Sequence, residues 1–462
     1  MAVAAGIFRQ YDIRGIVDRD LTVEAARAIG GAYATYLRRQ TKKGPGERLG
    51  AVAVGRDNRP SGRALRDALV DGLTRAGADV VDIGVVPTPL NYWSLHNLDV
   101  VGGIQITGSH NPPEYNGFKL SIGKASLHGA EIQRLYDIVG EGISSGTGRG
   151  SVRNEAVIDG YLDDIARRIG TLSRSIKAIY DCGNGAGALV APALFARLGV
   201  TGRGLFCESD GTFPNHHPDP TVPENLEDLI GAVKKDGAEI GIAFDGDADR
   251  IGVVDDRGQI VWGDRILIIY ARDVLARVGP GQPIIFDVKC SQALPDAIDR
   301  AGGRPVMWKT GHSLIKEKMK ETRAPIAGEM SGHMFFADGF YGHDDALYGA
   351  ARLLRICADS GKTVRQLLAD VPAFVTTPEI RVEVPDDLKF GLVDKAVRHF
   401  RSEHDVIDVD GARVLFGDGW GLIRASNTQP VLVARYEASS SERLAAIRGE
   451  MEGWLRSQGV HV

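Results

Sequence analysis

Three similar α/β domains, with mixed sheets between helices, followed by a smaller α+β domain is the architecture the sequence predicts. Three observations predict it. A strand-helix-strand unit recurs three times with the same punctuation, and the pattern changes beyond residue 371. At 462 residues the chain also exceeds one ordinary core and should divide into roughly three or four domains of about 100–150 residues.

In the first copy, apolar residues 51–54 form a strand ending in Gly55-Arg56-Asp57. A helix capped by Ser61 then carries Leu65, Leu69 and Leu73, and Arg75-Ala76-Gly77 stops it before a strand at 80–83. The second copy runs from 178–180 through Asp181-Cys182-Gly183 to Arg197-Leu198-Gly199 and a strand near Leu205. The third runs from 283–286 through Asp287-Val288-Lys289 to Arg300-Ala301-Gly302 and a strand near Met307. Glycine past the last helical residue is a common left-handed stop, so one copy is ordinary and only the recurrence argues for related domains. Ahead of the first copy, Thr22 caps a helix with Ala26, Ile29, Tyr33 and Leu37 on one face.

Each copy is followed by one more apolar strand and a polar loop: residues 107–119, 245–250 and 328–333. Equivalent loops of related domains should face one central cleft. The Gly/Ser-rich stretch 140–150, the turn Asp255-Asp256-Arg257-Gly258 and Val371-Pro372 mark the breaks, giving domains 1–150, 151–257, 258–371 and 372–462. The last alternates strands at 380–384, 421–425 and 431–436 between two helices.

Composition narrows the function. Hydrophobic content of 43% and charged content of 25% are ordinary for a globular protein, and 58 glycines suit many tight strand-to-helix turns. A net charge of −5 offers no basic field for nucleic acid or an anionic membrane, so an anionic substrate must be caught locally. No signal-like leader and no apolar run of about 18 residues is present, so a cytoplasmic protein is expected. Cys182, Cys207, Cys290 and Cys357 stand far apart with no Cys-x-x-Cys pair and are expected to be buried thiols.

Chemistry concentrates in the loops. Ser109 follows a buried strand at 99–106 and so sits at a strand's carboxyl end, where open α/β sheets place ligands. A hydrolase elbow does not fit, because Thr107 and Asn111 stand where Gly-x-Ser-x-Gly needs glycine. Asp245, Asp247 and Asp249 occupy alternate positions, which in extended chain point the same way. Three such carboxylates repel unless a cation sits between them, and hard oxygen donors suit Mg²⁺. An EF-hand is excluded by Arg250 at its sixth position and Asp256 at its twelfth. A haloacid-dehalogenase-like phosphatase with Asp245 as nucleophile stays open, although Asp249 stands where that pattern needs Thr; so does a sugar-phosphate binder without catalysis. Glu329 and Ser331 suit a pair of sugar hydroxyls. Arg424, Ser426, Asn427 and Thr428 combine a guanidinium, hydroxyls and turn backbone, which is phosphate chemistry.

Taken together, Thr-Gly-Ser-His-Asn-Pro at 107–112, Asp-Gly-Asp-Ala-Asp-Arg at 245–250, Gly-Glu-Met-Ser-Gly-His at 328–333 and residues 424–428 closely resemble the four loops of the α-D-phosphohexomutase superfamily, in its bacterial phosphomannomutase/phosphoglucomutase group. The resemblance spans essentially the whole chain. It implies a heart-shaped molecule with a TATA-binding-protein-like fourth domain. The implied reaction is reversible phosphoryl transfer between the 1- and 6-positions of mannose or glucose phosphates. It would pass through phosphorylated Ser109 and a glucose or mannose 1,6-bisphosphate, the bisphosphate also serving as activator. Mg²⁺ would be held by Ser109, Asp245, Asp247 and Asp249. Arg424, Ser426, Asn427 and Thr428 would hold the unreacting phosphate, and Glu329 and Ser331 the 3- and 4-hydroxyls. Lys119, Arg14, Tyr11 and Arg250 match positions near the reacting group, with Lys119 the candidate proton acceptor if Arg14 and the metal lower its pKa. Lys289 and His312 match further ligand contacts, and His110 either orients the loop or acts chemically. Met330, where phosphoglucosamine mutases usually show Gln, and Gly108, where they show Ala before the active Ser, favour this group over phosphoglucosamine mutase, the runner-up. A monomer is expected.

Overall fold

The first strand-helix-strand copy begins on Ala51–Arg56, and the sheet built around it has seven strands. Their order is Ile13–Ile16, Tyr115–Ile122, Gly102–Ile106, Ala51–Arg56, Asp79–Val85 and Val152–Asn154, with Ala125–Ser126 beside Tyr115–Ile122. The structure, a computed structural model, describes residues 3–44, 47–143, 148–427 and 429–462, so part of the 140–150 stretch lies outside the described residues. The second sheet orders five strands as Ile260–Val261, Ile251–Asp255, Ile240–Phe244, Lys177–Asp181 and Thr201–Leu205. The third orders four as Arg304–Trp308, Pro283–Asp287, Ile326–Gly328 and Met334–Phe336. Both the first and the second sheet take in a short strand a few residues past 150 and 257.

One connection repeats in all three sheets. The strand before the polar loop lies parallel to its neighbour, and the strand after it turns back antiparallel: Gly102–Ile106 into Tyr115–Ile122, Ile240–Phe244 into Ile251–Asp255, and Ile326–Gly328 into Met334–Phe336. The loop between them therefore marks the point where strand direction reverses. The three helix stops share one backbone state as well, with Gly77, Gly199 and Gly302 at φ of 85°, 71° and 78°, which only glycine adopts at no steric cost.

The fourth sheet is antiparallel and has six strands, more than its sequence suggests. Val375–Thr376, Asp405–Ile407 and Ala412–Leu415 join Ile380–Glu383, Gly419–Ala425 and Val431–Ala438, beside the helices Asp386–Phe400 and Ser441–Ser457. Two of the added strands are only two or three residues long, too short for alternation to register.

Thr22 caps Val23–Gln40 as expected, its hydroxyl accepting from the Ala25 N–H at 3.1 Å, a contact worth about 1 kcal/mol. Ser61 does not cap Gly62–Arg75. Its backbone is already helical and its Oγ is taken by Asn116 Nδ2 at 2.9 Å. The fourth sheet has its own apolar core and the first has one on one face, whereas the second and third share a continuous one from Tyr161 and Leu194 to Tyr270, Phe336 and Leu354, which Val81, Ile83, Leu90 and Trp93 of the first domain also enter. Among the described residues, no helix is long and apolar enough to cross a membrane.

Candidate active site

Ser109 sits just beyond Gly102–Ile106 with φ of 49°, a left-handed backbone that a β-carbon strains. Arg59 holds it there. The guanidinium, with no exposed side-chain surface and braced by Asp57 at 3.1 Å, donates to the carbonyls of Ser109, Asn111, Pro112 and Tyr115 at 2.8, 2.5, 2.5 and 3.0 Å. Gly108 permits the approach, because a β-carbon there would lie 2.4 Å from the guanidinium carbon. Arg14 adds bonds to the Gly108 carbonyl and to Asn111 Oδ1, and His217 donates to the His110 carbonyl. Ser109 Oγ is thereby fixed 3.1 Å from Asp245 Oδ2 and 3.2 Å from His110 Nδ1. Burial keeps the His110 imidazole neutral well below its usual pKa, with Arg250 and Arg14 adding repulsion.

The aspartates converge by a different route from alternation. Residues 245–250 form a tight turn with Ala248 left-handed at φ of 55°, not extended chain. All three carboxylates are fully buried, and an oxygen of each lies within 4.8 Å of the others. Burial, then Asp249 and Asp247, push the Asp245 carboxyl well above the usual range. Asp247 Oδ2 accepts from Thr88 and Thr107 at 2.5 and 3.0 Å, while its Oδ1 is buried with no hydrogen-bond partner. Three hard oxygen donors, one of them orphaned in a dry site, fit a divalent cation such as Mg²⁺.

Lys119 contacts the same carboxylates, ion-paired with Asp249 and 3.2 Å from Asp247. Burial acts to lower its pKa, but Asp247 and Asp249 outweigh it and hold the ammonium well above its ordinary value.

The loop at 328–333 lies directly against the aspartate turn: Ile251 N donates to the Gly332 carbonyl, and a β-carbon on Gly332 would come within 2.3 Å of the Ile251 carbonyl. His333 sits at the seam. Its Nδ1 lies 2.7 Å from Glu329 Oε2, and its Nε2 is 3.1 Å from Asp249 Oδ1 and 3.3 Å from Arg250 Nε. Burial opposes its protonation, yet the two carboxylates raise its pKa to about 9. Burial likewise works against ionisation of Glu329, but His333 and the Gly311 N–H hold it down to about 2. Ser331 Oγ is 3.4 Å from His333 Nδ1, and His312 opens the helix His312–Thr322 with its ring 5.9 Å from that of His333.

Arg424, on Gly419–Ala425, pairs with Asp410 at 3.0 Å. Asn427 Nδ2 donates to the Tyr11 hydroxyl at 2.6 Å, and that hydroxyl donates to the Thr310 carbonyl at 2.7 Å. Ser426 Oγ accepts from Gln429 N at 3.2 Å, while Thr428 lies outside the described residues. Lys289 bonds Glu379 at 2.7 Å. One cleft of about 1900 Å³ is lined by Tyr11, Arg14, Ser109, His110, Lys119, Arg250, Lys289, His312, Glu329, Ser331, Arg424, Ser426 and Asn427, with the aspartates beneath Ser109. Arg59 and Thr88 are not among the site residues expected from the sequence, and His333 has no role there beyond closing the 328–333 loop. Arg59 stands in an Asp-x-Arg after the strand Ala51–Arg56, but its partners lie fifty residues on, at Ser109 and beyond.

Four family descriptions of the phosphoglucomutase/phosphomannomutase type match successive stretches of the chain: alpha/beta/alpha domain I over residues 5–144, domain II over 159–258, domain III over 262–374 and the C-terminal domain over 379–453. The chain belongs to the phosphoglucomutase/phosphomannomutase family. It is 46% identical to the phosphomannomutase/phosphoglucomutase of Pseudomonas aeruginosa over 98% of this chain and 96% of that one. To the phosphoglucomutase of Neisseria gonorrhoeae it is 44% identical over 99% and 98% of the two chains. The crystal structure of a phosphoglucomutase/phosphomannomutase family protein from Burkholderia thailandensis superimposes with a TM-score of 0.89 at 44% identity, covering 98% of each chain. The family accounts for a loop of each sheet meeting in one cleft of the mutase.

Proposed function

We propose that this mutase moves a phosphoryl group between the 1- and 6-positions of mannose and glucose phosphates, with Ser109 as carrier and the hexose 1,6-bisphosphate as intermediate. The observation that carries the reading is the pinned Ser109 Oγ, 3.1 Å from Asp245 in a cleft that Arg424 and Glu329 also line. Asp245, Asp247 and Asp249, with the Ser109 phosphate, would hold Mg²⁺, which supplies neutralisation of the charge on the transferring oxygens.

The chain's own groups divide the remaining work. Arg424, Ser426, Asn427 and Thr428 hold the phosphate that is not reacting, the guanidinium exchanging Asp410 for a doubly charged partner. Glu329, kept ionised, and Ser331 accept from and bond the 3- and 4-hydroxyls. His333, protonated between two carboxylates, can deliver a proton to the sugar oxygen as it leaves the phosphoryl group. Lys119 stays the candidate proton acceptor, since a cation held by Asp247 and Asp249 would offset the carboxylate charge that raises its pKa. A single small ligand fills roughly 300–1,000 Å³, so a cleft of about 1900 Å³ leaves room for the bisphosphate to turn end for end. The division of the chain at 150, 257 and 371 into four moving units belongs to the same proposal.

Phosphopeptide mass spectrometry of the purified mutase should find phosphate on Ser109. Ser109→Ala should lower transfer between mannose or glucose 1- and 6-phosphates at least on the order of a thousand-fold, as deletions of a covalent carrier do. Phosphate on Asp245, or transfer surviving in the variant, overturns the reading.

A further inference from the structure

Cys182 and Cys207, twenty-five residues apart in sequence, touch in space. Their Sγ atoms are 3.3 Å apart. Cys182 follows the strand Lys177–Asp181 and Cys207 follows its parallel neighbour Thr201–Leu205. Both turn toward one carbonyl, Cys182 N bonding Leu205 O at 3.1 Å and Cys207 Sγ the same oxygen at 3.3 Å. Gly204 makes the approach possible, because a β-carbon there would fall 2.4 Å from Cys207 Sγ. Cys182 is fully buried, and Cys207 is partly open to solvent.

The two chains leaving these cysteines grip the first domain. The amide of Asn58 donates to the Asn184 carbonyl at 2.7 Å and to Ser209 Oγ at 2.9 Å, so it rests on both segments, two residues past each cysteine. Asn184 N bonds the Phe206 carbonyl at 2.9 Å, tying the segments together beneath it. Asn58 immediately precedes Arg59, the clamp on the Ser109 loop, and Phe213 of the same segment lies 5.1 Å under that guanidinium.

We propose that Cys182 and Cys207 form a reversible dithiol–disulfide site, oxidised by hydrogen peroxide, whose closure displaces the seat of Asn58 and slows the mutase. A disulfide needs its sulfurs about 2.05 Å apart, so closing from 3.3 Å draws the two segments together by about 1 Å. Cys207 is the attacking sulfur, being the exposed one and having its thiol drawn below the usual pKa by its hydrogen bond with Cys182. Its thiolate attacks one peroxide oxygen and breaks the O–O bond; hydroxide leaves and takes up the thiol's proton as water, and Cys207 becomes a sulfenic acid. Cys182 sulfur then attacks Cys207 sulfur. The S–O bond breaks, the S–S bond forms, and the departing hydroxide takes the Cys182 proton as a second water. The two thiols lose two electrons and the peroxide gains them.

The test is peroxide titration of the reduced full-length mutase, followed by peptide mass spectrometry and turnover. A cross-linked peptide joining Cys182 to Cys207 is expected, lighter than its parts by two hydrogens. Turnover should fall on the order of tenfold in the same dose range, since ~1 Å misplacement of positioned groups can cost more than that, and should recover with dithiothreitol. Cys207→Ser and Cys182→Ala should each keep their own turnover through the treatment. Two results overturn the proposal: both thiols remaining free, or both variants losing turnover in parallel with the parent. The mass readout stands without a mutase assay, so a failure of this site and a failure of the proposed reaction can be told apart.

Discussion

Arg59 shows how one residue can set the conformation of a reacting group it does not touch. Its planar fork gathers the carbonyls of Ser109, Asn111, Pro112 and Tyr115 onto one guanidinium and so holds the left-handed turn at Ser109. Lysine keeps the charge but cannot reproduce the fork. Arg59→Lys should therefore lower kcat by about 100-fold with KM little changed, because a misplaced carrier hydroxyl weakens the transition state and not the binding of the far phosphate. Steady-state kinetics on glucose 1-phosphate would check this, and an unchanged kcat would dismiss the positioning role. Ser109 was legible in the sequence because a strand, a hydroxyl and turn formers stand side by side there. Arg59 was not, since its partners begin fifty residues later and no local pattern joins them. His333 was missed for a related reason: its charge is set by Asp249 from another sheet, and a histidine's protonation cannot be read from its own neighbours. The four cysteines are free thiols as expected, three of them buried and Cys207 half-buried, but the meeting of Cys182 with Cys207 is again a contact that no local pattern shows.

At the level of elements, the reversal of strand direction after each parallel strand puts the chemistry-bearing loops at equivalent places, and this was visible as a recurrence. The reason the carboxylates meet was not. Alternation predicts extended chain, yet the turn with left-handed Ala248 bends 245–250 back so that Asp245 Oδ1 accepts from both the Asp249 and Arg250 N–H groups, each at 3.1 Å. Such a turn keeps three carboxylates buried with Lys119, Arg250 and His333 as the compensating charges, and cation binding should relieve the residual repulsion. Mg²⁺ should therefore raise the thermal midpoint of the chelator-treated mutase and restore its turnover. Asp247→Asn should lose the rise in midpoint, since Asp247 holds the orphaned oxygen. A midpoint indifferent to Mg²⁺ in the parent protein would count against a cation at this turn.

Across the whole molecule, polar ties at the cleft add to apolar contacts between sheets, where Val81, Ile83 and Trp93 enter the core of the second and third sheets and Val288 packs on Trp420 and Leu422. The Tyr11 hydroxyl links the first sheet's leader to Thr310 and Asn427, and Lys289 links the third sheet to Glu379 at the entry to the fourth. These polar ties, unlike the apolar contacts, can exchange partners when a bisphosphate turns in the cleft. Glu379 gives this a measurable form. Burial alone would raise its pKa, but Lys289 outweighs burial and holds it down to about 2 from an ordinary 4.5. A carboxyl depressed on folding stabilises the folded state fully above its unfolded pKa, and that contribution is lost as pH falls toward the folded one. The pair should therefore contribute about 3 kcal/mol above roughly pH 4.5 and shed it between there and pH 2. Glu379→Gln should be less stable than the parent by about that amount at pH 7, with the difference shrinking steadily as the pH is lowered through this window. Urea unfolding at a series of pH values measures it. A gap between parent and variant that stays constant from pH 6 to pH 3 would show that the carboxylate's charge is not what ties the fourth sheet to Lys289.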